Sequence, residues 1–505
     1  MNMVKKPVIM RILSLFITIM ICSVLPTHTA YSQPPDTLRL TLPEVIALAQ
    51  SRSPSALLAQ TRLEQSYWDY QVALSQLRPT IGLNLTLPNL SRNIEAITLP
   101  TGADVFVQRA QMYNSASFGI LQPLPFSGGQ IFLGTDLSRI DLFRTATQDP
   151  AVSYSISPIS LSFAQPLFQP NQLRWTKKLA PLRYEEASRS FAEEMEDLAY
   201  TAALRFFDVF LAQLDLEAAL RDKANADTLL NISRGRFEVG RIAETELLQI
   251  ELSAMNAQTA VANARVNLQT AMERLRNFLG LETTTFFLLV PPLNLPQADI
   301  PLDKALELAR TQRSEPISFQ RRLLEAERST EVAHANTGVQ ANIAGGISLS
   351  KFGATPAEAL DQPNLNMFVR TTLEIPILDW GRRRAYYESA VATQELEQMQ
   401  VAQDRINFEE ELRTRVQQFK LVRQRVRLAE QAFNVARKRE SLTRSRYYIG
   451  KVGITELGIA ISEREAARRA WMDALRNFWL AWYELRRLTL YDFERQVPLV
   501  RRTQK

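Results

Sequence analysis

Side chains that could carry covalent or metal chemistry are scarce in this sequence of 505 residues. It holds one cysteine, Cys22, and two histidines, His28 and His334. A cysteine nucleophile, or a metal site built on two histidines, is therefore not expected in the body of the chain. The sequence also has no phosphate-binding P-loop and no dinucleotide-binding glycine motif. We expect no catalytic residue, no cofactor and no metal ion, and we interpret the protein as a non-enzyme.

Charged residues instead gather around two glycines, in two similar segments. The segment RFEVGRIAETEL starts at residue 236, and the similar segment RYYIGKVGITEL starts 210 positions later. In each segment a glycine suits the left-handed end of one helix, and a threonine suits the N-cap of the next. The glutamate after the threonine falls in the first turn, where the helix dipole favours an acid. The residues concerned are Arg236, Gly240, Arg241, Thr245 and Glu246, and then Arg446, Gly450, Lys451, Thr455 and Glu456.

The whole chain repeats in the same way. An offset of 210 also aligns Pro166 with Pro376, but upstream the offset is 260, where Leu42 matches Leu302. The first copy therefore carries about fifty extra residues between roughly positions 82 and 160. We predict a signal peptide at 1–32, a first repeat at 38–281 with an inserted hairpin at about 91–157, an equatorial linker at 282–300, a second repeat at 301–495 and a tail at 496–505.

Very long helices are predicted where proline is absent, from 182 to 290 and from 377 to 497. Proline is poorly tolerated inside a helix, so such spans favour helix. Each copy is expected to hold a rising helix of about 35 residues, a descending helix about 90–100 Å long and a return helix of about 35 residues. A return helix of one copy and a rising helix of the other could stack to match the descending helix. The predicted rising helices are 43–77 and 303–337, and the descending helices are 176–235 and 382–447.

The return helices show heptad repeats, which make helices wind around neighbours. On the first helix the two apolar rows are Leu247, Ala254, Val261, Leu268 and Leu275, and Ile250, Ala257, Ala264, Ala271 and Phe278. On the second they are Ala460, Ala467, Ala474, Ala481 and Leu488, and Leu457, Arg464, Trp471, Phe478 and Leu485. Helices alone would fit a structural coiled-coil hairpin equally well.

Segments of period two point beyond a plain coiled coil. Apolar residues alternate with small or polar ones around 81–87, 159–163, 343–349 and 369–377. A membrane-spanning β-strand needs this pattern over about ten residues. Four strands cannot close a barrel, so we expect three copies to contribute twelve strands. Trp175 and Trp380 follow strands and would anchor the barrel at the membrane interface, or else be ordinary packing tryptophans. The inserted hairpin is placed on the outer face of the barrel.

The N-terminus has the order of a secretory signal: a basic start, an apolar run from Ile12 to Leu25, and small residues after it. Removing three of the 59 basic residues and none of the 53 acidic ones leaves a net charge of about +3. The high isoelectric point is therefore weak evidence for nucleic-acid binding, and no nucleic-acid partner is expected.

The doubled order of these segments, with IPILDWGR at 375–382 opening a helix, resembles the TolC-type outer membrane efflux proteins over about residues 38–495. The resemblance implies an α+β membrane protein. In it, antiparallel coiled-coil hairpins form a periplasmic α-barrel, and four transmembrane β-strands per protomer form a twelve-stranded barrel in a homotrimer. It also implies an outer-membrane location with a periplasmic extension, and contact with outer-membrane lipid.

The resemblance further implies a passive channel subunit of a tripartite efflux or type I secretion system, for small molecules or polypeptides. A periplasmic adaptor would link it to an inner-membrane pump. The glycine turns would form the adaptor contact, and Glu246 and Glu456 would be acids at the aperture. Because Ile459 occupies the place where some members have a second acid, a double acidic ring is not expected. The segment from Phe286 to Leu295 would lie in a belt around the tunnel. The alternative is a periplasmic coiled-coil structural or adaptor protein.

Overall fold

The computed structural model describes residues 37–500, apart from 99, 146–148, 283–285, 293 and 298, so the predicted signal peptide lies outside the described residues. Within these bounds, no helix combines the length and the apolar character needed to cross a membrane. The elements are β1 (Thr37–Thr41), α1 (Leu42–Arg52), α2 (Pro54–Ser75), β2 (Thr80–Thr98), β3 (Asp104–Pro123), β4 (Gln130–Leu142), β5 (Ala151–Leu167), α3 (Gln172–Glu238), α4 (Glu244–Leu279), β6 (Phe286–Val290), α5 (Leu302–Gln312), α6 (Glu315–Ala335), β7 (Gln340–Gly353), α7 (Pro356–Leu360), β8 (Asn364–Glu374), α8 (Arg382–Tyr448), α9 (Ile454–Thr489), β9 (Tyr491–Asp492) and β10 (Val497–Pro498).

The descending helices α3 and α8 each have 67 residues and are about 100 Å long. Each packs antiparallel against a return helix of 36 residues, α4 or α9. The heptad rows predicted from the sequence are largely buried in these pairs, as Ile250, Val261, Leu457 and Phe478 illustrate. The coiled-coil prediction is therefore confirmed.

Each rising segment is two helices rather than one, which corrects the prediction. The break lies at Ser53 in the first copy, and Arg313 and Ser314 separate α5 from α6 in the second. Proline follows each break, at Pro54 and Pro316, within the first two positions of the next helix, where its missing N–H costs no intrahelical hydrogen bond. Ser53 adopts an extended conformation, and its Oγ accepts a hydrogen bond of 3.1 Å from the backbone N–H of Ala56.

Rising and return helices meet end to end within one copy, not between copies as predicted. Gly280 ends α4 in the left-handed region, and a Cβ there would lie 3.3 Å from Cδ of Pro54 at the start of α2. In the second copy, α9 contacts α5. Two shorter helices thus run along each 67-residue helix, as the length comparison required.

Six strands form one antiparallel sheet in the order β2-β3-β4-β5-β7-β8. One face carries an apolar row, in which each residue lies directly opposite the next: Ile81, Ile120, Leu133, Leu161, Ile347 and Met367. The other face carries a small or polar row in the adjacent register: Gly82, Gly119, Gly134, Ser160, Ser348 and Asn366. All four predicted strand segments lie in this sheet, in β2, β5, β7 and β8, with the last segment running on beyond Glu374.

The inserted residues of the first copy add strands to the sheet, which has six strands where four were predicted. Strand β4 begins at Gln130 and β7 at Gln340, so the offset of 210 already holds at β4. In this offset the β2–β3 hairpin, about residues 80–129, has no counterpart in the second copy, whereas the upstream offset of 260 aligns β2, which begins at Thr80, with β7. The predicted bounds of the insert, about 91–157, stay a prediction. This hairpin extends the sheet at its edge instead of lying over the outer face, because β3 pairs with β4 continuously from Gln111 to Pro123. Sequence alternation could not separate added strands from original ones, since both carry the same pattern.

A belt of buried residues lies far from the sheet, around a short parallel pairing of β1 with β6. The side-chain Nε2 of Gln213 in α3 donates to the carbonyl of Phe287 at 2.7 Å, and Trp479 Nε1 donates to the carbonyl of Pro292 at 3.1 Å. The described part of the predicted belt segment thus packs against the long helices, and its place around a tunnel stays a prediction. The aromatic residues of this belt include Phe206, Phe207, Phe210, Phe419, Phe478 and Trp482.

Candidate functional site: the paired hairpin tips

Both long helices end in the same hydrogen-bonded turn, far from the sheet. In the first hairpin, the N–H of Gly240 donates to the carbonyl of Phe237, and the N–H of Arg241 donates to the carbonyl of Arg236, both at 2.8 Å. Gly450 and Lys451 repeat these two bonds at 3.0 Å each. This is the Schellman arrangement, which needs a left-handed residue. Gly240 and Gly450 supply it with φ of +67° and +73°.

The N-cap prediction for the threonines was wrong. Helix α4 is preceded by Ala243 and helix α9 by Gly453, and neither end has a side-chain cap. Thr245 and Thr455 lie one residue inside their helices and are exposed. The connections after the glycines are short, so each helix begins before the threonine is reached. Glu246 and Glu456 lie in the first turns, as predicted.

The two tips lie side by side and contact each other through Arg236. Its Nη2 donates to the backbone carbonyl of Tyr448 at 3.3 Å, and its guanidinium carbon lies 5.6 Å from the ring centre of Tyr447. The structure thus brings two sequence segments together that are 210 residues apart. Tyr447 was not among the predicted site residues, although its position in the repeated segment could have suggested it.

A small apolar cluster joins the hairpins just behind the turns. Its buried members are Leu229 of α3, Ile250 of α4, Tyr447 of α8 and Leu457 of α9, one from each long helix. All four helices also line a cavity of about 420 Å³ beside this cluster. The tips are therefore held by few contacts, with free volume next to them.

Ion pairs reinforce these hairpins. Arg234 pairs with Glu251 within the first hairpin at 3.0 Å, and Arg439 pairs with Glu463 within the second. Between the hairpins, Nη2 of Arg464 in α9 lies 3.0 Å from Oδ1 of Asp222 in α3. This contact accounts for an arginine in a row of otherwise apolar heptad positions.

Most of the remaining charged residues of the tips are exposed to solvent. Arg241, Arg446 and Lys451 are exposed, and none makes an ion pair within the described part of the chain. Glu456 is exposed, whereas Glu246 is half-buried. Of the four predicted basic residues, three are thus available to a partner, and Arg236 is engaged between the two tips.

The two tryptophans predicted as interfacial anchors have different surroundings. Trp175 is 2% exposed, and Lys178 lies over its ring at 4.7 Å, so it is a packing residue and cannot contact lipid. Trp380 is 91% exposed, next to the exposed Ile377 and Leu378. Only Trp380 remains a candidate for the interface. The burial of Trp175 depends on how α3 packs, which its sequence position does not reveal.

Comparison with known proteins gives the family. The sequence model for outer membrane efflux proteins matches residues 132–281 and 319–489. The chain belongs to this family. The predicted location, the outer membrane with helices extending into the periplasm, is that of the family. The first matched segment begins inside β4 and leaves out the β2–β3 hairpin.

Solved structures share the fold of this outer membrane efflux protein. The CmeC outer membrane channel of Campylobacter jejuni is 15% identical, with a TM-score of 0.65, and the match covers 92% of this chain and 87% of that one. VceC of Vibrio cholerae is 14% identical with a TM-score of 0.61, covering 90% and 96%. The open-state MtrE channel of Neisseria gonorrhoeae is 14% identical with a TM-score of 0.60, covering 89% and 88%. A sequence search among curated proteins gives no match.

Proposed function

We propose that the protein is the passive outer-membrane duct of a tripartite efflux or type I secretion assembly. The main support for this proposal is that helices about 100 Å long separate two different ends of the molecule, the sheet and the hairpin tips. One end is a sheet with a continuous apolar face, and the other is a pair of lightly held tips with exposed basic residues. The first suits lipid, and the second suits a protein partner in the periplasm.

The single chain leaves surfaces that a trimer would cover. Strand β8 is exposed on both faces along its whole length, and exposed leucines line α4 and α8, for example Leu248, Leu252, Leu421 and Leu428. Long exposed edges and apolar patches of this kind call for a partner. Three copies would close the sheets into a wall and set twelve long helical segments around a tunnel.

The tips are proposed to dock an adaptor and to form the mouth of the tunnel. Arg241, Arg446 and Lys451 are exposed there, beside Glu456. An adaptor that inserts between the hairpins would compete for the Arg236 contact with Tyr447 and Tyr448, and would thereby loosen the tips. In this mechanism the inner-membrane pump supplies the energy, and this chain supplies the path.

Membrane fractionation followed by a heat-modifiability gel tests the proposal against its rival, a periplasmic coiled-coil or adaptor protein. The proposed duct is expected in the outer-membrane fraction as a trimer that resists detergent until it is heated. A chain that extracts as a soluble or lipid-anchored monomer would contradict the proposal.

The tips are tested by copurification with the adaptor encoded nearest to this gene. Reversing the charge of Arg241 and Lys451 together is expected to reduce adaptor recovery at least several-fold while leaving trimers intact. Charge reversal of Arg221 on the outside of α3, away from the tips, serves as a control. Equal adaptor recovery from both variants would contradict the tip assignment.

A further inference from the structure

The sheet has two strands more than the four predicted, and they lie within the same antiparallel sheet as the others. We propose that the strands of the β2–β3 hairpin belong to the wall of the barrel that three copies form. In this arrangement β2 of one copy pairs with β8 of the next, and the closed sheet has eighteen strands. The inference rests on the proposed function, because it requires the trimer.

Both faces of the sheet continue through the hairpin without interruption. The apolar row begins on it, with Ile81 of β2 and Ile120 of β3, before it reaches Leu133 of β4. The row of small residues likewise begins with Gly82 and Gly119. A hairpin that covered the outer face, or that plugged the lumen, would have no reason to keep one face for lipid and the other for water.

The bulge in β2 preserves this two-sided pattern. Pairing with β3 shifts by one residue between Thr86 and Asn89. Without the shift, every later side chain would change faces. With it, Leu90 and Ile94 remain on the apolar face of Ile81, and Asn89 stays on the polar face. Strand β2 therefore keeps one apolar face and one polar face on both sides of the bulge, as a strand of the barrel wall requires.

The edge that a twelve-stranded wall would use is already occupied. In that arrangement β4 of one copy would pair with β8 of its neighbour. However, β4 pairs with β3 along its full length, from Gln130 to Leu142, and with β5 on its other side. The unpaired edges of the sheet are β2 and β8.

These two edges are compatible with each other. Strand β8 has eleven residues, all exposed, and β2 has eight residues from Thr80 to Leu87 before Pro88 removes a backbone donor. Because the sheet has an even number of strands, β2 and β8 of adjacent copies run antiparallel, as all its other neighbours do. A second copy of this chain is therefore the partner that fits the β2 edge.

The circumference also agrees with that of the helices. Strands spaced ~4.8 Å apart and tilted ~40° give a diameter of about 36 Å for eighteen strands and about 24 Å for twelve. Twelve helices with axes ~8–10 Å apart enclose a ring about 31–38 Å across. A cylinder of eighteen strands is therefore wide enough to meet the end of the helical tunnel.

Disulfide crosslinking in outer membranes tests the pairing. The only natural cysteine, Cys22, lies in the predicted signal peptide, so engineered cysteines act alone. Leu83→Cys on β2 is combined in turn with a cysteine at every second position of β8, which covers all registers on the apolar face. These positions are Leu365, Met367, Val369, Thr371 and Leu373. At least one pair is expected to give covalent dimers and trimers after oxidation.

Leu133→Cys on β4, combined with the same five positions, is the matched control and is expected to give no links between chains. Deleting residues 80–129 joins Pro79 to Gln130, as Val339 joins Gln340 in the second copy, and is expected to let Leu133→Cys link to β8. Trimers that link through Leu133→Cys in the full-length chain, or that give no link from Leu83→Cys, would overturn the inference and leave the proposed duct standing. A chain that remains monomeric would overturn the proposed function, and the inference with it.

Discussion

The belt and the tips are two contact regions of the same four long helices, and they are built very differently. At the belt, the helices enclose a continuous core with many aromatic side chains, supported by the β1–β6 pairing. At the tips, the cluster has one fully buried side chain from each helix and four half-buried ones packed against them, beside a cavity of about 420 Å³. Since local stability follows the density of buried contacts, the belt should act as the fixed frame and the tips as the part that moves.

One heptad row of α9 has a buried residue in each region, Phe478 at the belt and Leu457 at the tips. Phe478 and Leu457 lie 21 positions apart, and both are 0% exposed. The ring of Phe478 contacts Phe419 with 5.5 Å between centroids. Phe478→Ala is expected to lower the free energy of unfolding by about 3–5 kcal/mol and to reduce trimer yield strongly. Denaturant unfolding of purified trimers measures the change, with Phe478→Leu as the milder control. Equal stabilities of the two variants would contradict the role of the belt.

Leu457→Ala should affect the tips and spare the rest. Removing this buried side chain is expected to cost about 2–3 kcal/mol locally, because Leu229, Ile250 and Tyr447 are then the only fully buried members of the cluster. Hydrogen exchange should accelerate around the two turns, while exchange at the belt and the unfolding midpoint of the trimer stay close to the wild type. Loss of protection at the belt would show that the two regions are not independent.

Substitution of the tip glycines tests the shape of the turns. A non-glycine residue in the left-handed region costs about 1–2 kcal/mol, and a β-branched residue is the least suited to it. Gly240→Val and Gly450→Val are therefore expected to distort the turns and to impair efflux, measured as dye accumulation in cells with the intact pump, while trimers still form.

Gly235→Val is the matched control for these glycines. Gly235 lies inside α3 near the same tip, and a Cβ added there, as at Gly240, would meet open space with no neighbouring atom within 4 Å. It does not need a positive φ, so efflux should be normal. Unchanged efflux in the Gly240 and Gly450 variants would refute the assignment of the tips.

Arg236→Gln should have a smaller effect on the same region. It removes the contacts with Tyr447 and Tyr448, which together are worth on the order of 1 kcal/mol at such a site. In planar bilayers we expect a higher open probability than for the wild type. Arg241→Gln, a change of the same kind at an exposed arginine, should leave the contact between the tips and the open probability unchanged. The same gating in both variants would mean that Arg236 does not hold the tips together.

The repeated segments and heptad rows made the hairpins and the general position of the tips predictable, because both patterns are local in sequence. Ile250 and Leu457, for example, occupy the buried positions that the heptads assign. The β1–β6 pairing was missed, since it joins residues nearly 250 positions apart and leaves no local signal.

The predictions that were wrong depended on tertiary packing and turn length, which the sequence does not reveal. Trp175 and Trp380 both follow strands, yet one is buried against neighbouring elements and the other is exposed. The threonines of the tips have the right residue type for an N-cap, but Ala243 and Gly453 occupy that position because the turns are shorter than expected. For the sheet, strand alternation predicted the membrane-type pattern and could not tell which hairpin had been added.

The smallest expected effect concerns a carboxylate at the belt. Glu196 of α3 is buried and receives bonds of 3.1 Å and 3.3 Å from Arg486 of α9, which also lies 3.4 Å from Asp492. Burial raises the pKa of Glu196 above its usual value, against the opposing effect of Arg486, and the charge of Asp492 adds to the increase. The stability contributed by a raised pKa is fully present below the unfolded-state value and is lost as pH rises through the folded-state value.

The wild type should therefore lose stability relative to Glu196→Gln as pH rises from about 4.5, the usual value for a glutamate, and the difference should then become constant. Unfolding midpoints of the two trimers across this range measure it, with Asp197→Asn as a control for removing one exposed carboxylate beside it. A wild type that gains stability over the variant with rising pH would mean that Arg486 outweighs burial. The belt would then owe part of its rigidity to this ion pair rather than to its aromatic core alone.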